Sequence, residues 1–153
     1  MKSLLTILCC FLLLPSSVTR ASTAHEDIMF PIYQLFDGMR ESDGDKVRNA
    51  FFPEAVFHRA HAKFKTGGSP EQFAQAVAKA TDQIWDEKIW DVEIQVNDKL
   101  ASVWTQFAFY LDDKLSHCGV NSFQLYQFED GWKIIYLVDT FQKAPCNVPE
   151  DAK

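Results

Sequence analysis

The stretch A-S-V-W-T-Q-F-A-F-Y-L-D-D-K-L-S-H-C-G-V-N-S-F-Q-L, Ala101 to Leu125, decides the architecture. Asp112-Asp113 is a turn signal between two runs that suit strands, so it reads as a tight hairpin. Val103, Phe107 and Phe109 lie on one face of the first run, and Trp104, Ala108 and Tyr110 on the other. Apolar residues on both faces require that both be covered. Working outward, Trp90, Val92, Ile94 and Val96 alternate with Asp91, Glu93 and Gln95, a half-buried strand. Asn97-Asp98 and Asp130-Gly131 supply two more turns. Four consecutive antiparallel strands are expected, roughly 88–97, 99–111, 114–128 and 132–142. Strands of that length twist and curve strongly.

Before this meander the period is helical. Ile28, Ile32, Leu35, Phe36 and Met39 form one stripe of an amphipathic helix, with Pro31 in its first turn or at a kink. Ser42-Asp43-Gly44-Asp45 breaks it and caps a short second helix through Val47, Ala50 and Phe51, stopped by Pro53. Ala55 to His61 reads as a short strand. Ser69-Pro70-Glu71-Gln72 then opens a third helix, with buried face Phe73, Ala76, Val77, Ala80 and Ile84. Helices before a curved antiparallel sheet make the fold class α+β. The three helices cover one sheet face, and a second copy is the simplest cover for the other, so a homodimer through the outer face is expected.

The first residues read as an export signal. Lys2 precedes an apolar run from Leu4 to Leu14, and cleavage after Ala21 or Ala24 fits the small residues there. Residues 1–24 are therefore assigned to a secretory signal peptide, 25–146 to one domain and 147–153 to a flexible tail. The apolar run is shorter than the roughly 20 residues a bilayer span needs, so no membrane association is expected after cleavage. Losing Lys2 and Arg20 takes the formal charge from −6 to −8, an acidic surface with no footprint for nucleic acid. The location expected is periplasmic or secreted. In an oxidising compartment Cys118 and Cys146, the two cysteines left, suggest one disulfide, against the alternative of two free thiols.

Tyr33 to Phe52, Ala101 to Leu125 and Asp130 to Thr140 (D-G-W-K-I-I-Y-L-V-D-T) carry a resemblance. In this order of elements they are similar to the nuclear transport factor 2-like superfamily, whose bent sheet wraps helices into a cone. Within it they resemble the bacterial putative lumazine-binding group, close to the SnoaL-like polyketide cyclases. The resemblance spans residues 26–146. It implies the cone fold, and its members include isomerases, dehydratases, cyclases and transport factors, so function has to come from the pocket.

His117 and Cys118 are neighbours on a strand and point to opposite faces, which excludes a Cys–His nucleophilic pair. His117, Asn121, Phe123 and Leu125 share one face, with Gly119 between the first two. Two-residue turns at Asp112-Asp113 and Asp130-Gly131 set Trp104 and Thr140 opposite Asn121 and bring Tyr136 to the same face. Trp104, His117, Asn121 and Tyr136 are then the expected ligand pocket. A three-residue turn at Glu129–Gly131 would put Leu137 and Asp139 there instead of Tyr136 and Thr140. His58 and His61 have odd strand spacing and no Cys/His cluster has metal-ligand spacing, so no metal site is expected.

The function expected first is binding of a small apolar or aromatic molecule, oriented by His117 and Asn121. The resemblance also implies an alternative, an isomerase, dehydratase or cyclase that works without a cofactor through an acid–base residue. His117 and Asp139 are the candidates, with Asp37 and Glu41 behind them. A third reading is a structural dimerisation domain with a filled cavity.

Overall fold

The computed structural model describes residues 24–152. The expected signal segment falls outside them, apart from Ala24. Helix α1 (Ala24–Arg40) buries Ile28, Ile32, Leu35, Phe36 and Met39, the stripe read from the sequence. Pro31 lies within the helix rather than in a first turn, and is itself buried. Asp43 caps α2 (Gly44–Ala50) by accepting from the N–H groups of Asp45 and Lys46. Its carboxylate satisfies two donors that would otherwise be left open at the helix start.

The chain passes directly from α2 into β1 (Phe51–Ala60), so Pro53 lies in a strand rather than merely ending a helix. It falls between Phe51 and Val56, where the pairing of β1 shifts register, and a missing N–H is tolerated there. After β2 (Lys65–Gly68), Ser69 caps α3 (Pro70–Lys79), which buries Ala74 and Val77. Ile84, expected on that buried face, lies past the helix and is 54% exposed.

The meander consists of β3 (Trp85–Asn97), β4 (Leu100–Leu111), β5 (Lys114–Phe128) and β6 (Gly131–Thr140). The sheet has six strands in the order β2-β1-β6-β5-β4-β3. All pairs are antiparallel except β1 with β6, an exception the antiparallel expectation missed. The helices pack on one face, where Val103, Phe107, Phe123, Leu125 and Ile134 meet the α1 stripe in a single core. The α+β class and the cone of helices against a curved sheet stand as expected.

Two irregularities decide which residues face that core. In β5, Tyr110 pairs with Leu115 but Phe109 pairs with His117, so Ser116 is an extra residue. In β6, Leu125 pairs with Ile134 but Gln124 pairs with Tyr136, so Ile135 is extra. Each bulge shifts one strand by one residue against its neighbour and exchanges which side chains share a face.

Beyond the end of β6 the chain continues along β5 in the same register. Cys118 and Gln142 exchange both backbone hydrogen bonds, at 2.9 and 2.8 Å. Cys118, on the outer face, is bonded to Cys146. Gly119 permits the close approach beside it. A Cβ there would lie 2.6 Å from the Thr140 carbonyl oxygen and 2.9 Å from the Phe107 ring.

Candidate functional site

A cavity of about 660 Å³ opens between the helices and the inner face of the sheet. Its walls are mainly apolar, with Leu35, Phe36, Phe73, Phe109 and Phe123 among them. Polar residues interrupt this surface: Arg59 on β1, Glu87 on β3, His117 and Asn121 on β5, and Asp139 on β6, with His58, Lys65, Thr66 and Gln83 also on the lining. An apolar chamber with a few converging polar groups is the usual make-up of a small-molecule site.

Of the four residues expected to line the pocket, the structure brings two together there. His117 and Asn121 both face the cavity. Trp104 does not. The bulge at Ser116 sets Trp104 opposite Ser122 and puts Thr105 opposite Asn121, so the indole stands on the outer face, 49% exposed. Tyr136 is also excluded, because it pairs with Gln124, on the outer face, while Asp139 pairs with Asn121. The turn is Glu129-Asp130, one position earlier than expected, which moves the pairing by two residues and keeps the faces, and the one-residue bulge at Ile135 then exchanges them. Asp139 and Leu137 therefore occupy the places expected for Thr140 and Tyr136.

Asp139 faces the cavity but is engaged. The Nε of Arg59 donates to both of its carboxylate oxygens at 2.9 Å, and Nη2 donates to Oδ2 as well. Arg59 and Asp139 pair on adjacent parallel strands, which holds the fork against the carboxylate.

Glu87 is the carboxylate that sequence reasoning missed. It pairs with Phe109, which pairs in turn with His117, so all three share the inner face. The little surface it keeps belongs to the cavity wall. Asn121, 3% exposed, donates from Nδ2 to Glu87 Oε1 at 2.6 Å. Burial pushes the Glu87 carboxyl up to about 7, against the opposing effect of the Asn121 hydrogen bond. The nearby Asp139 charge adds to the rise and Arg59 offsets part of it. A carboxyl so placed exchanges its proton near neutral pH. The signal was present in the sequence: Trp85, Glu87 and Ile89 alternate with Asp86 and Lys88, which leaves one carboxylate between two apolar residues on a buried face. Starting the strand at residue 88 hid it.

His117 is shifted the other way. Burial, with the Arg59 charge behind it, lowers its pKa and keeps the imidazole neutral at neutral pH. Its ring stacks on Phe141 at 4.5 Å and contacts Phe109 at 5.0 Å. Its Nδ1 lies 3.1 Å from Ser116 Oγ. No group of three or more His, Cys, Asp or Glu suited to hold a metal ion occurs among the described residues.

Comparison with known proteins agrees with the fold. The family model described as "Putative lumazine-binding" matches residues 23–138. No curated protein sequence matches the chain. Among solved structures, a nuclear transport factor 2-like protein from Cytophaga hutchinsonii aligns at 12% identity and TM-score 0.66, over 79% of this chain and 100% of that one. A cystatin-like protein from Novosphingobium aromaticivorans aligns at 10% identity and TM-score 0.65, over 76% and 80%. Another from that organism, described as a putative scytalone dehydratase, aligns at 10% identity and TM-score 0.64, over 82% and 89%. At such identities the likeness shows the fold alone. With a family match across most of its length, the chain belongs to the putative lumazine-binding family of the nuclear transport factor 2-like fold.

Proposed function

We propose that the cone binds a small, uncharged, largely apolar or aromatic molecule, and that Glu87 moves a proton to or from it. The observation that carries this reading is the Glu87 carboxyl, enclosed in an apolar cavity, held by Asn121 and poised at about 7. A base for a carbon acid needs that combination, namely a fixed position, a dry surround and a pKa near the working pH. The chemistry it fits is of the isomerase, dehydratase or cyclase type named by the fold resemblance. His117, neutral on the same wall, serves as a hydrogen-bonding partner rather than a charge. Arg59 is already matched by Asp139, so it is not the cation for a charged ligand, and the apolar walls favour an uncharged one. An open cavity also speaks against the filled, purely structural domain.

Native mass spectrometry of protein purified from its own compartment tests the binding half. A co-purified small molecule is expected, and its absence across preparations would sink the reading. Glu87→Gln tests the other half: the variant should keep the ligand and lose deuterium incorporation into it from D2O. One observation favours binding without chemistry: His117 pairs with Ser116, not with Glu87, so the site lacks a joined acid–base pair. That second reading expects no deuterium incorporation even with Glu87 intact.

Export and dimerisation belong to the same proposal. The Cys118–Cys146 bond supports an oxidising compartment. The outer-face Trp104 and Tyr126, with Leu100 beside them, support a second copy as cover. Light scattering on the mature protein should give twice the chain mass, and a monomer at every concentration would contradict the dimer.

A further inference from the structure

Residues 141–146 run past β6 and are pinned to β5 twice. Cys118 and Gln142 exchange backbone hydrogen bonds, and Cys118 is joined to Cys146. The register that pairs Asn121 with Asp139 and Cys118 with Gln142 sets Phe141 opposite Gly119, on the inner face. There the Phe141 ring stacks on His117, with centroids 4.5 Å and planes 25° apart. The guanidinium carbon of Arg59, which grips Asp139, lies 5.4 Å from the same centroid. One side chain thus backs three polar residues of the cavity wall. Phe107 and Phe109 meet the imidazole from within β4, at 5.7 and 5.0 Å. Phe141 has no such strand under it: its segment pairs through a single isolated bridge.

We propose that Phe141 is a positioning residue that backs His117 and shuts water out behind it, and that the Cys118–Cys146 bond is the clasp that holds it there. The proposal deepens the reading of this cavity as a ligand site and rests on it for the purpose of the seal. A stacked ring removes water from one face of the imidazole, and the cation–π contact keeps Arg59 beside it. Burial is the main cause holding His117 below its ordinary value, with the Arg59 charge adding to it and Asp139 opposing. Two other titratable groups stand near, His61 across the Phe141 ring and Glu87 across Phe109. Cys118 and Cys146 both line a second hollow of about 410 Å³, with Pro145 and Asn147, through which a small thiol reaches the bond. The thiolate of dithiothreitol attacks one sulfur and releases the other as a thiolate, which takes up a proton. Its second thiolate then displaces the first cysteine, leaving two cysteine thiols and the cyclic disulfide of the reductant. With the clasp open, only the bridge at Gln142 retains the segment.

The test follows the His117 ring by 1H–13C NMR from pH 3 to 9 without ligand, with Glu87 read in the same samples. The forms compared are the oxidised chain, the chain reduced by dithiothreitol, Cys146→Ser and Phe141→Leu. In the oxidised chain the stacked ring should move the His117 ring protons upfield. The other three forms should lose that displacement and raise the His117 midpoint toward 6.5, while Glu87 stays near 7. An unmoved His117 in Phe141→Leu overturns the seal, and an unmoved His117 after reduction or in Cys146→Ser overturns the clasp. A Glu87 midpoint that moves with His117 also overturns the proposal, because the whole cavity would then have loosened. Phe141→Leu keeps the bond and tests the seal even if the reduced forms unfold, and such unfolding would itself overturn the clasp. A Glu87 midpoint of 4.5 in the oxidised chain would remove the proposed base instead, with seal and clasp still read from His117.

Discussion

Glu87 and Asp139 are two carboxylates on the same face of the same sheet, in the wall of the same cavity, yet they are built for different work. Asp139 meets a guanidinium that grips both of its oxygens. Glu87 meets only the neutral amide of Asn121, and burial carries its carboxyl to about 7. The difference lies in the partner: a charged fork fixes an ion, whereas an amide leaves the proton free to move. A site needs both, one group to shape the wall and one to act.

The largest way to probe that contrast is Glu87→Gln. Below pH 4.5 the Glu87 carboxyl is protonated in folded and unfolded chains alike and has no effect on stability. As pH rises toward 7 the unfolded chain ionises while the fold resists, so stability falls and then levels off. The interval from 4.5 to about 7 is worth about 3 kcal/mol. Glu87→Gln should therefore be about 3 kcal/mol more stable than the parent at pH 8 and equal to it at pH 4, measured by urea unfolding. Next comes Asp139→Asn, which leaves the half-buried Arg59 without its carboxylate. A loss of about 2 kcal/mol is expected, together with a fall in the Glu87 pKa, since Asp139 helps to raise it. Asn121→Ala should cost about 1–2 kcal/mol at pH 5 and move the Glu87 pKa further up, because the amide favours the ionised form. The smallest effect belongs to Trp104→Gln on the outer face. It should change monomer stability by less than about 0.5 kcal/mol and leave ligand affinity intact. A collapse of affinity there would restore the pocket first read from the sequence.

That first pocket shows where sequence legibility stops. The α1 stripe and the Asp43 and Ser69 caps are local signals, and each appears in the fold as read. The alternation read from Trp90 to Val96 does not hold, because a register shift between Trp90 and Glu93 breaks it, and Val92 and Val96 are exposed. Facing across a sheet is not local. Ser116 and Ile135 carry no residue signature of a bulge, yet each moves a whole strand by one position. His117 and Asn121 were assigned from parity within β5 alone, and both face the cavity. Trp104 and Tyr136 were assigned across hairpins, and both face out. Arg59 and Glu87 were missed because the one reaches the cavity through a parallel pairing and the other lies before the expected strand start. Which face β5 offers was legible, but what stands opposite it was not.

The claim at the centre is that Glu87 shares its proton near neutral pH. The side-chain carboxyl carbon of Glu87, assigned by its loss in Glu87→Gln, can be followed by 13C NMR from pH 3 to 9. The account predicts a midpoint near 7. A midpoint at the ordinary value of 4.5 would contradict it, and would leave the cavity a binding site with no base.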